Sequence, residues 1–403
     1  MENLSQACEP ASFGRKQETV RDENYRKAVK MDSEYFSPML DVSHTDLVNM
    51  IYDSLLEGTQ STNRIKIELY KLNVYGTRLI SIHLPPSDIT FLHRERVILK
   101  PHVDTPRGKN MFGSLVIVFP TPHEGGALHL RHRGQEWIFD SCQVLAAKDK
   151  PSIGYAAFFS DIEHEIAPVT SGHRVTLTYN LYFDDDGPIS ANDDIYRRPA
   201  PPLVNEGPFR EAFTALLENP EFLAEGGMLA FGLRHVYPIR DSDDLRHVYN
   251  VLKGTDAVVY QGVRTIGFEP VLYMYYKFDG RRHGDGVLVG RVVNFTGFWE
   301  TDDRAVIDFL HEEGGVIATR DRERLHGVYG ETLSATAEVV EWVTPMTTIN
   351  QKEGAYVAYY GNEPSLDFVY GGVCLVVRIG KAGDRLAYPA FAELERRRSY
   401  YTF

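Results

Sequence analysis

Apolar and polar residues alternate in short runs through the first half of the chain. Such alternation is typical of strands with one buried face, and it predicts strands at residues 65–75, 114–119, 127–131, 136–139, 156–159 and 174–183. Ahead of them, Leu47, Met50, Ile51 and Leu55 recur at helical spacing and predict an amphipathic helix over residues 46–56. Short strands separated by Gly, Pro and Asp turns favour a β-sandwich or barrel over a doubly wound sheet.

The pattern changes in the second half of the chain. Residues 184–208 collect acidic residues and prolines, which disfavour a regular element and indicate a linker. Beyond the linker, helical spacing and alternation predict helices at 209–219, 243–252, 256–266 and from Thr301 to about residue 313, with strands at 228–237 and 270–278. The expected organisation is a polar arm (1–43), a mainly β domain (44–183), the linker (184–208) and an α+β domain without an assigned role (209–403).

Composition narrows the classes of function. The chain has 403 residues, which favours two domains, and its net charge of −13 argues against nucleic-acid or membrane-surface partners. Its three cysteines are too few and too dispersed for a disulfide framework or a thiolate zinc cluster. The absence of a signal-like apolar run leads us to expect a soluble cytoplasmic or nuclear protein.

The candidate chemistry begins with a histidine followed two residues later by an aspartate. This spacing occurs three times, starting at His44, His102 and His283. The first pair lies at a predicted helix start and the third in a Gly-rich loop, where an aspartate is explained by helix or turn capping. His102 and Asp104 instead lie at a predicted strand end, where side chains two residues apart point the same way and can reach one metal ion.

Two downstream features complete this constellation. His164 ends an apolar strand and is followed by a Thr-Ser-Gly turn. The next strand carries polar side chains on one face, at Arg174, Thr176, Thr178 and Asn180. This predicts a wet or ligand-facing side on which the guanidinium binds a carboxylate. Two neutral imidazoles and one carboxylate suit a non-haem Fe(II) centre with open coordination positions.

The motifs YKLNVYG, KPHVDTPR, MFGSLVIVFPTPHEGGALHLRH and FFSDIEHEIAPVTSGHRVTLTYNL lie between residues 70 and 181, within a resemblance that covers roughly residues 45–183. Together they resemble the Fe(II)- and 2-oxoglutarate-dependent oxygenases of the prolyl 4-hydroxylase type, in particular fungal members. The resemblance implies a double-stranded β-helix (jelly roll) with flanking helices, in which His102, Asp104 and His164 bind iron.

The same resemblance implies roles for three further residues and a reaction. Arg174 would bind the far carboxylate of 2-oxoglutarate, and Thr176 and Tyr75 would place hydroxyl groups near that co-substrate. The cofactors would be Fe(II), 2-oxoglutarate and O₂, with ascorbate as a candidate addition. The dioxygenase would hydroxylate a protein side chain or a small molecule and release succinate and CO₂.

Residues 77–99 depart from the resembling pattern. They replace a short Gly-rich turn and contain Pro85-Pro86 but no glycine. The segment is either a lid at the pocket mouth or non-native sequence such as a translated intron, and the missing turn chemistry favours the second. A catalytically inactive binding or scaffold protein is therefore an alternative, as is a metal-dependent hydrolase or isomerase on a cupin-like barrel. Four nearby histidines, His123, His129, His132 and His173, are interpreted as ordinary structural or surface residues.

Overall fold

The protein divides into two compact units. The computed structural model describes residues 1–11, 13–15, 18–20, 28–59, 65–76, 101–104, 107–108, 110–183, 204–239, 245–277, 286–300, 303–320, 337–360 and 363–386. Unit 1 comprises Met1–Leu55 and Thr62–Arg198, and unit 2 comprises Leu56–Ser61 and Pro199–Phe403. Most of the predicted linker, residues 184–203, lies outside the described residues, as does the atypical segment 77–99.

Unit 1 is rich in strands. Its helices are α1 (Glu2–Gln6), α2 (Leu47–Leu55) and α3 (Ser141–Ala146). Its strands are β1 (Glu9–Pro10), β2 (Phe13–Arg15), β3 (Glu18–Val20), β4 (Ala28–Asp32), β5 (Ile65–Gly76), β6 (Met111–Val118), β7 (His123–Gly125), β8 (Leu128–His132), β9 (Gln135–Phe139), β10 (Gly154–Phe159), β11 (Glu163–Ile166) and β12 (Val169–Phe183). The predicted helix and the six predicted strands are confirmed, with shifted ends.

Three elements of unit 1 depart from the predicted pattern. Strand β4, which pairs with β5 and buries Ala28 and Val29, lies in the stretch expected to be a polar arm. The predicted Thr-Ser-Gly turn is instead part of β12, because β7 pairs with this stretch and a register shift accommodates it. His164 does not end the apolar strand, which stops at Phe159; it lies in the next strand, β11.

The strands of unit 1 form antiparallel sheets. The large sheet has seven strands in the order β1-β4-β5-β12-β6-β10, with β7 paired to β12, and the small sheet has the order β11-β8-β9. Strands β2 and β3 form a separate pair. This architecture agrees with the predicted antiparallel β-sandwich class.

Pairing across the large sheet places several polar residues on one face. Arg174 lies opposite Tyr75, Asn180 lies opposite Ser114, and Ser114 lies opposite Phe158. Directly opposed residues share a face, as do residues two apart in one strand. Residues Tyr75, Ser114, Phe158, Arg174, Thr176 and Asn180 therefore share one face, called the Arg174 face below.

Unit 2 combines helices with a closed barrel. Its helices are α4 (Glu206–Glu218), α5 (Arg246–Tyr249), α6 (Gly254–Thr265) and α7 (Asp303–Glu312). Its strands are β13 (Gly227–Gly232), β14 (Val271–Lys277), β15 (Gly286–Val289), β16 (Trp299–Glu300), β17 (Val316–Thr319), β18 (Glu338–Thr344), β19 (Gln351–Tyr360) and β20 (Glu363–Ile379). Six strands close a ring in the order β13-β18-β17-β15-β14-β20, and β20 returns to β13. The ring is mixed, since β18 runs parallel to β13 and β17.

Alternate residues of the barrel strands enter two separate cores. Met228 and Ala230 of β13 pack with Cys374 in a cluster to which, among the described residues, the helices contribute no side chain. Leu229 and Phe231 pack in a second cluster that includes side chains of α4, α5, α6 and α7. The first cluster is therefore the barrel interior and the second is the outer, helix-covered layer.

The predicted elements of the second half are found in part. The helices at 209–219 and 256–266 and the strand at 270–278 are confirmed, whereas the helix at 243–252 is only the short α5. The strand at 228–237 stops at Gly232, and the Asp256 carboxylate then accepts the backbone N–H groups of Arg234 and His235 in place of a neighbouring strand. Thr301, the predicted cap of α7, lies outside the described residues.

A short segment far from the rest of unit 2 in sequence is tied into it. The Glu57 carboxylate accepts hydrogen bonds from the backbone N–H of Asn205, at 2.5 Å, and from its side-chain amide, at 2.6 Å, at the start of α4. Thr59 Oγ1 donates to the carbonyl of Leu252 at 3.0 Å, and Leu56 is completely buried. Among the described residues, no helix is long and apolar enough to span a membrane.

Candidate metal centre

Three side chains of unit 1 form a compact group of metal-ligand type. The ligand atoms of His102, Asp104 and His164 all lie within 4.8 Å of one another. His164 Nε2 is 3.8 Å from Asp104 Oδ1, and the two imidazole centroids are 4.3 Å apart. Ligands of one small ion lie roughly 3 to 4 Å apart when each bond is about 2.1 Å long. Small side-chain rotations would bring these three groups onto a single ion.

A backbone bridge joins the two histidines. The N–H of His102 donates to the carbonyl of His164 at 3.1 Å, and the reciprocal bond is 2.8 Å long. This is a single isolated bridge, so the regular strand end predicted for residues 102–104 is not formed. Pro101, which has no N–H to donate, directly precedes the bridge. The backbone bridge places His102 beside β11, the strand that contains His164.

Two further contacts orient the Asp104 and His164 side chains. Ser114 Oγ donates to Asp104 Oδ2 at 2.6 Å and leaves Oδ1 directed toward His164. His164 Nδ1 lies 3.1 Å from the carbonyl oxygen of Ile162. Because a carbonyl can only accept, Nδ1 carries the proton and Nε2 presents a lone pair to a metal. The centroid of the Phe158 ring lies 4.9 Å from that of the His164 ring, so the two rings pack together.

Arg174 forms the second part of the site. Its side chain is completely buried, and its Nε donates to Ser141 Oγ at 3.3 Å. Within the part of the chain that the structure describes, its terminal nitrogens Nη1 and Nη2 have no hydrogen-bond partner. The Tyr75 ring centroid lies 5.5 Å from the guanidinium carbon. Burial lowers the pKa of Arg174, and the charge interaction with Tyr75 opposes this shift.

This environment calls for an anionic ligand. A guanidinium keeps its charge in proteins and offers its terminal N–H groups as a planar fork that matches a carboxylate. Leaving such a cation buried and unpaired costs several kcal/mol. A carboxylate that accepts from Nη1 and Nη2 together would remove that cost. The surroundings of the Arg174 terminal nitrogens are therefore suited to one end of a carboxylic acid.

From Arg174 to Leu181 both faces of β12 are largely buried, so the side predicted to be wet or ligand-facing is not open to solvent. On the Arg174 face, Thr176 is 1% exposed and Tyr75 is 9% exposed. The cover includes Ser141 of α3 and Gly126, the latter in a left-handed conformation (φ 74°). A Cβ atom at Gly126 would lie 2.8 Å from Arg174 Cδ, so glycine is needed for this close approach.

The structure thus brings His102, Asp104 and His164 together and places Arg174, Thr176 and Tyr75 on one sheet face. Ser114 links the two parts, because it lies on that face and bonds to Asp104. Sequence reasoning missed Ser114 and Ser141. A lone serine within the apolar run MFGSLVIVF is the signal that could have identified Ser114, since buried hydroxyl groups require partners.

The remaining sequence candidates have local roles or lie outside the described part. His44 Nδ1 is 2.7 Å from Asp41 Oδ2 in an exposed pair, and the capping role expected for Asp46 stays a prediction. His283 and Asp285 lie outside the described residues. His129 pairs with Glu136 at the surface. His123, interpreted as an ordinary structural residue, is buried and bonds to Ser141.

Comparisons with known proteins give partial likenesses. No family model and no curated protein matches the chain. A 2OG-Fe(II) oxygenase family oxidoreductase from Burkholderia pseudomallei is 13% identical, with a TM-score of 0.19, and covers 30% of this chain. The match spans 46% of that protein's length.

Two prolyl hydroxylase structures are also similar in part. One, from Trichoplax adhaerens in complex with a hypoxia inducible factor peptide fragment, is 15% identical, with a TM-score of 0.28, over 46% of this chain and 74% of that one. A prolyl-4-hydroxylase from Pseudomonas putida is 16% identical, with a TM-score of 0.25, over 45% of this chain and 80% of that one.

Proposed function

We propose that unit 1 is an Fe(II)- and 2-oxoglutarate-dependent dioxygenase built on a double-stranded β-helix. It would hydroxylate a protein side chain or a small molecule and release succinate and CO₂. One observation carries this proposal: Arg174, whose buried Nη1 and Nη2 have no partner among the described residues, lies on the same sheet face as Ser114, which holds Asp104 of the His-Asp-His group. A dicarboxylic 2-oxo acid has one end that chelates a metal and another that pairs with a guanidinium.

The chain's residues divide the work accordingly. His102, Asp104 and His164 would hold the iron, since two neutral imidazoles and one carboxylate suit Fe(II) and leave positions for a chelating acid and O₂. Arg174 would bind the far carboxylate, with Thr176 and Tyr75 close by on the same face. When bound, the iron would supply the activation of O₂ and the oxidative decarboxylation of the 2-oxo acid.

Burial of the polar residues supports the same assignment. A site closed to bulk water strengthens the charge pairing between guanidinium and carboxylate and excludes side reactions of an activated oxidant. Arg174 and Thr176 are at most 1% exposed, so the co-substrate would enter a dry pocket. The neutral Nε2 atom of His164 is already oriented by the Ile162 carbonyl.

An anaerobic titration tests the proposal without knowledge of the final substrate. Fe(II)-loaded protein would be titrated with 2-oxoglutarate, and the visible charge-transfer band of the metal chelate would be followed. We expect a saturable band in wild type. In Arg174→Ala, the apparent affinity for 2-oxoglutarate should fall about 30-fold or more, because removing one partner of a buried charge pair costs about 2–5 kcal/mol. Arg131→Ala is a matched control, because Arg131 forms partly exposed ion pairs with Glu136 and Glu165.

A variant that lacks residues 77–99 separates the alternatives. A band that appears only in the shortened protein would mean that this segment blocks co-substrate binding, and the full chain would then be a binding or scaffold protein. A metal-loaded protein that shows no band in either form would overturn the proposal. Binding of the metal with no response to any 2-oxo acid would instead direct attention to hydrolytic or isomerase chemistry.

A further inference from the structure

We propose that His123 and Ser141 form a hydrogen-bonded relay that orients Arg174 toward its carboxylate ligand. Both are positioning residues, since they act through Arg174 and are not placed on the ligand itself. The inference rests on the proposed function for the identity of the ligand, 2-oxoglutarate. The relay itself is a property of the protein and can be measured separately.

The direction of each hydrogen bond follows from the partners. His123 Nδ1 lies 2.6 Å from the carbonyl oxygen of Thr121, which can only accept, so Nδ1 carries the imidazole proton. The other ring nitrogen, Nε2, then accepts from the Ser141 hydroxyl at 3.1 Å. With its proton directed to His123, Ser141 Oγ presents a lone pair to Arg174 Nε at 3.3 Å. The relay therefore has one consistent orientation from Arg174 to the backbone of Thr121.

This relay fixes the plane of the guanidinium. The Nε–H bond is held by Ser141, while Gly126 leaves room for Cδ at a distance where a Cβ atom would collide. The Tyr75 ring lies against the guanidinium carbon at 5.5 Å. Because Nε, the two Nη atoms and the central carbon are coplanar, holding Nε and Cδ sets the direction of both terminal N–H groups. A carboxylate would then meet a preorganised fork.

The pattern of satisfied and unsatisfied groups argues against simple core packing. Ser141 and Arg174 are completely buried and His123 is 9% exposed, and each ring nitrogen and hydroxyl of the relay has a partner. Of the Arg174 nitrogens, Nη1 and Nη2 are without one among the described residues. A purely structural buried arginine would have its whole fork paired. Here, pairing stops at the two atoms that a carboxylate would bind.

The relay predicts a selective loss of affinity. Ser141→Ala should weaken 2-oxoglutarate binding to Mn(II)-loaded protein about tenfold, the equivalent of one hydrogen bond to a charged group. Pyruvate, a 2-oxo acid without a far carboxylate, should bind equally to the variant and to wild type, because it engages only the metal. His123→Phe should show the same selectivity, and Ser141→Ala should add little in an Arg174→Ala background.

Calorimetric titration with both acids, together with the unfolding midpoint and the Mn(II) affinity of each variant, tests this prediction. A fall in affinity for both acids, or in metal affinity, would show a general structural role and overturn the relay. The ¹⁵N resonance of Arg174 Nε in metal-free protein gives a second readout. We expect slow N–H exchange with water in wild type and faster exchange in Ser141→Ala and His123→Phe. Equal exchange rates in wild type, Ser141→Ala and His123→Phe would overturn the relay, whether or not 2-oxoglutarate binds. Slow exchange in wild type and faster exchange in the variants, together with no binding of 2-oxoglutarate, would overturn only the proposed function.

Discussion

Removal of the Ser114 hydroxyl should weaken metal binding although Ser114 is not a ligand. Ser114 donates to Asp104 Oδ2 at 2.6 Å, a short bond of the kind formed with an ionised carboxylate, and its side chain is almost completely buried. A hydrogen bond to a charged group contributes about 1.5–3 kcal/mol, and loss of an outer-shell partner typically lowers metal affinity about 10- to 100-fold. We therefore expect Ser114→Ala to bind Fe(II) or Mn(II) about 10- to 100-fold more weakly.

Calorimetric titration of metal into the metal-free protein measures this effect, and a double-mutant cycle assigns it. Ser114→Ala should reduce affinity much less in an Asp104→Asn background, because the carboxylate that Ser114 orients is no longer present. Ser152→Ala is the matched control, since the Ser152 hydroxyl is exposed and bonds only to the carbonyl of Lys150 in its own loop. Unchanged metal affinity in a folded Ser114→Ala protein would refute the reasoning, as would equal losses in both backgrounds.

Two other perturbations have expected outcomes. Gly126→Ala should lower the free energy of unfolding in urea by more than Gly134→Ala and should also weaken 2-oxoglutarate binding. Both glycines have positive φ, but a Cβ atom would meet Arg174 at Gly126 and open space at Gly134. Equal losses of stability in the two variants would exclude a role for the contact with Arg174. Burial raises the pKa of Tyr249 to about 12, so the folded state favours the protonated phenol. Its contribution is present below the unfolded pKa of about 10 and is lost as pH rises toward 12. Tyr249→Phe should therefore make denaturant-measured stability less dependent on pH in this window, and an unchanged slope would contradict the assignment.

Alternation in sequence predicted six strands of unit 1, β5, β6, β8, β9, β10 and β12, because each has a continuous pattern, and it missed the short strands β1 to β4, β7 and β11. Strand β12 shows why face assignment is harder: its Arg174, Thr176 and Asn180 side chains look solvent-facing, yet all are buried. A period of two gives the face on which a residue lies but does not reveal what covers that face. Cover here comes from α3 and the turn at Gly126, both of which lie well before β12 in the sequence.

The candidate ligand set could be proposed from motif context and resemblance, whereas the contacts that support it could not. His102 and His164 were identified by resemblance, but their mutual backbone bridge depends on long-range pairing that no local pattern encodes. The role of Ser114 depends on strand register, because its position opposite Asn180 and Phe158 brings its hydroxyl group within hydrogen-bond distance of Asp104. The barrel of unit 2 was missed for a related reason: its closing pair joins β13 to β20, strands more than a hundred residues apart.

The tie between Glu57 and the start of α4 has a consequence for any attempt to dissect the chain. Unit 2 is discontinuous, since it draws on Leu56–Ser61 as well as on the sequence after Arg198. A gene fragment that begins at residue 199 would omit the carboxylate that accepts both Asn205 donors and the hydroxyl that bonds to Leu252. Such a fragment would leave the buried site of Leu56 empty. Separate production of unit 2 would require circular permutation, or co-expression, that restores the missing segment Leu56–Ser61.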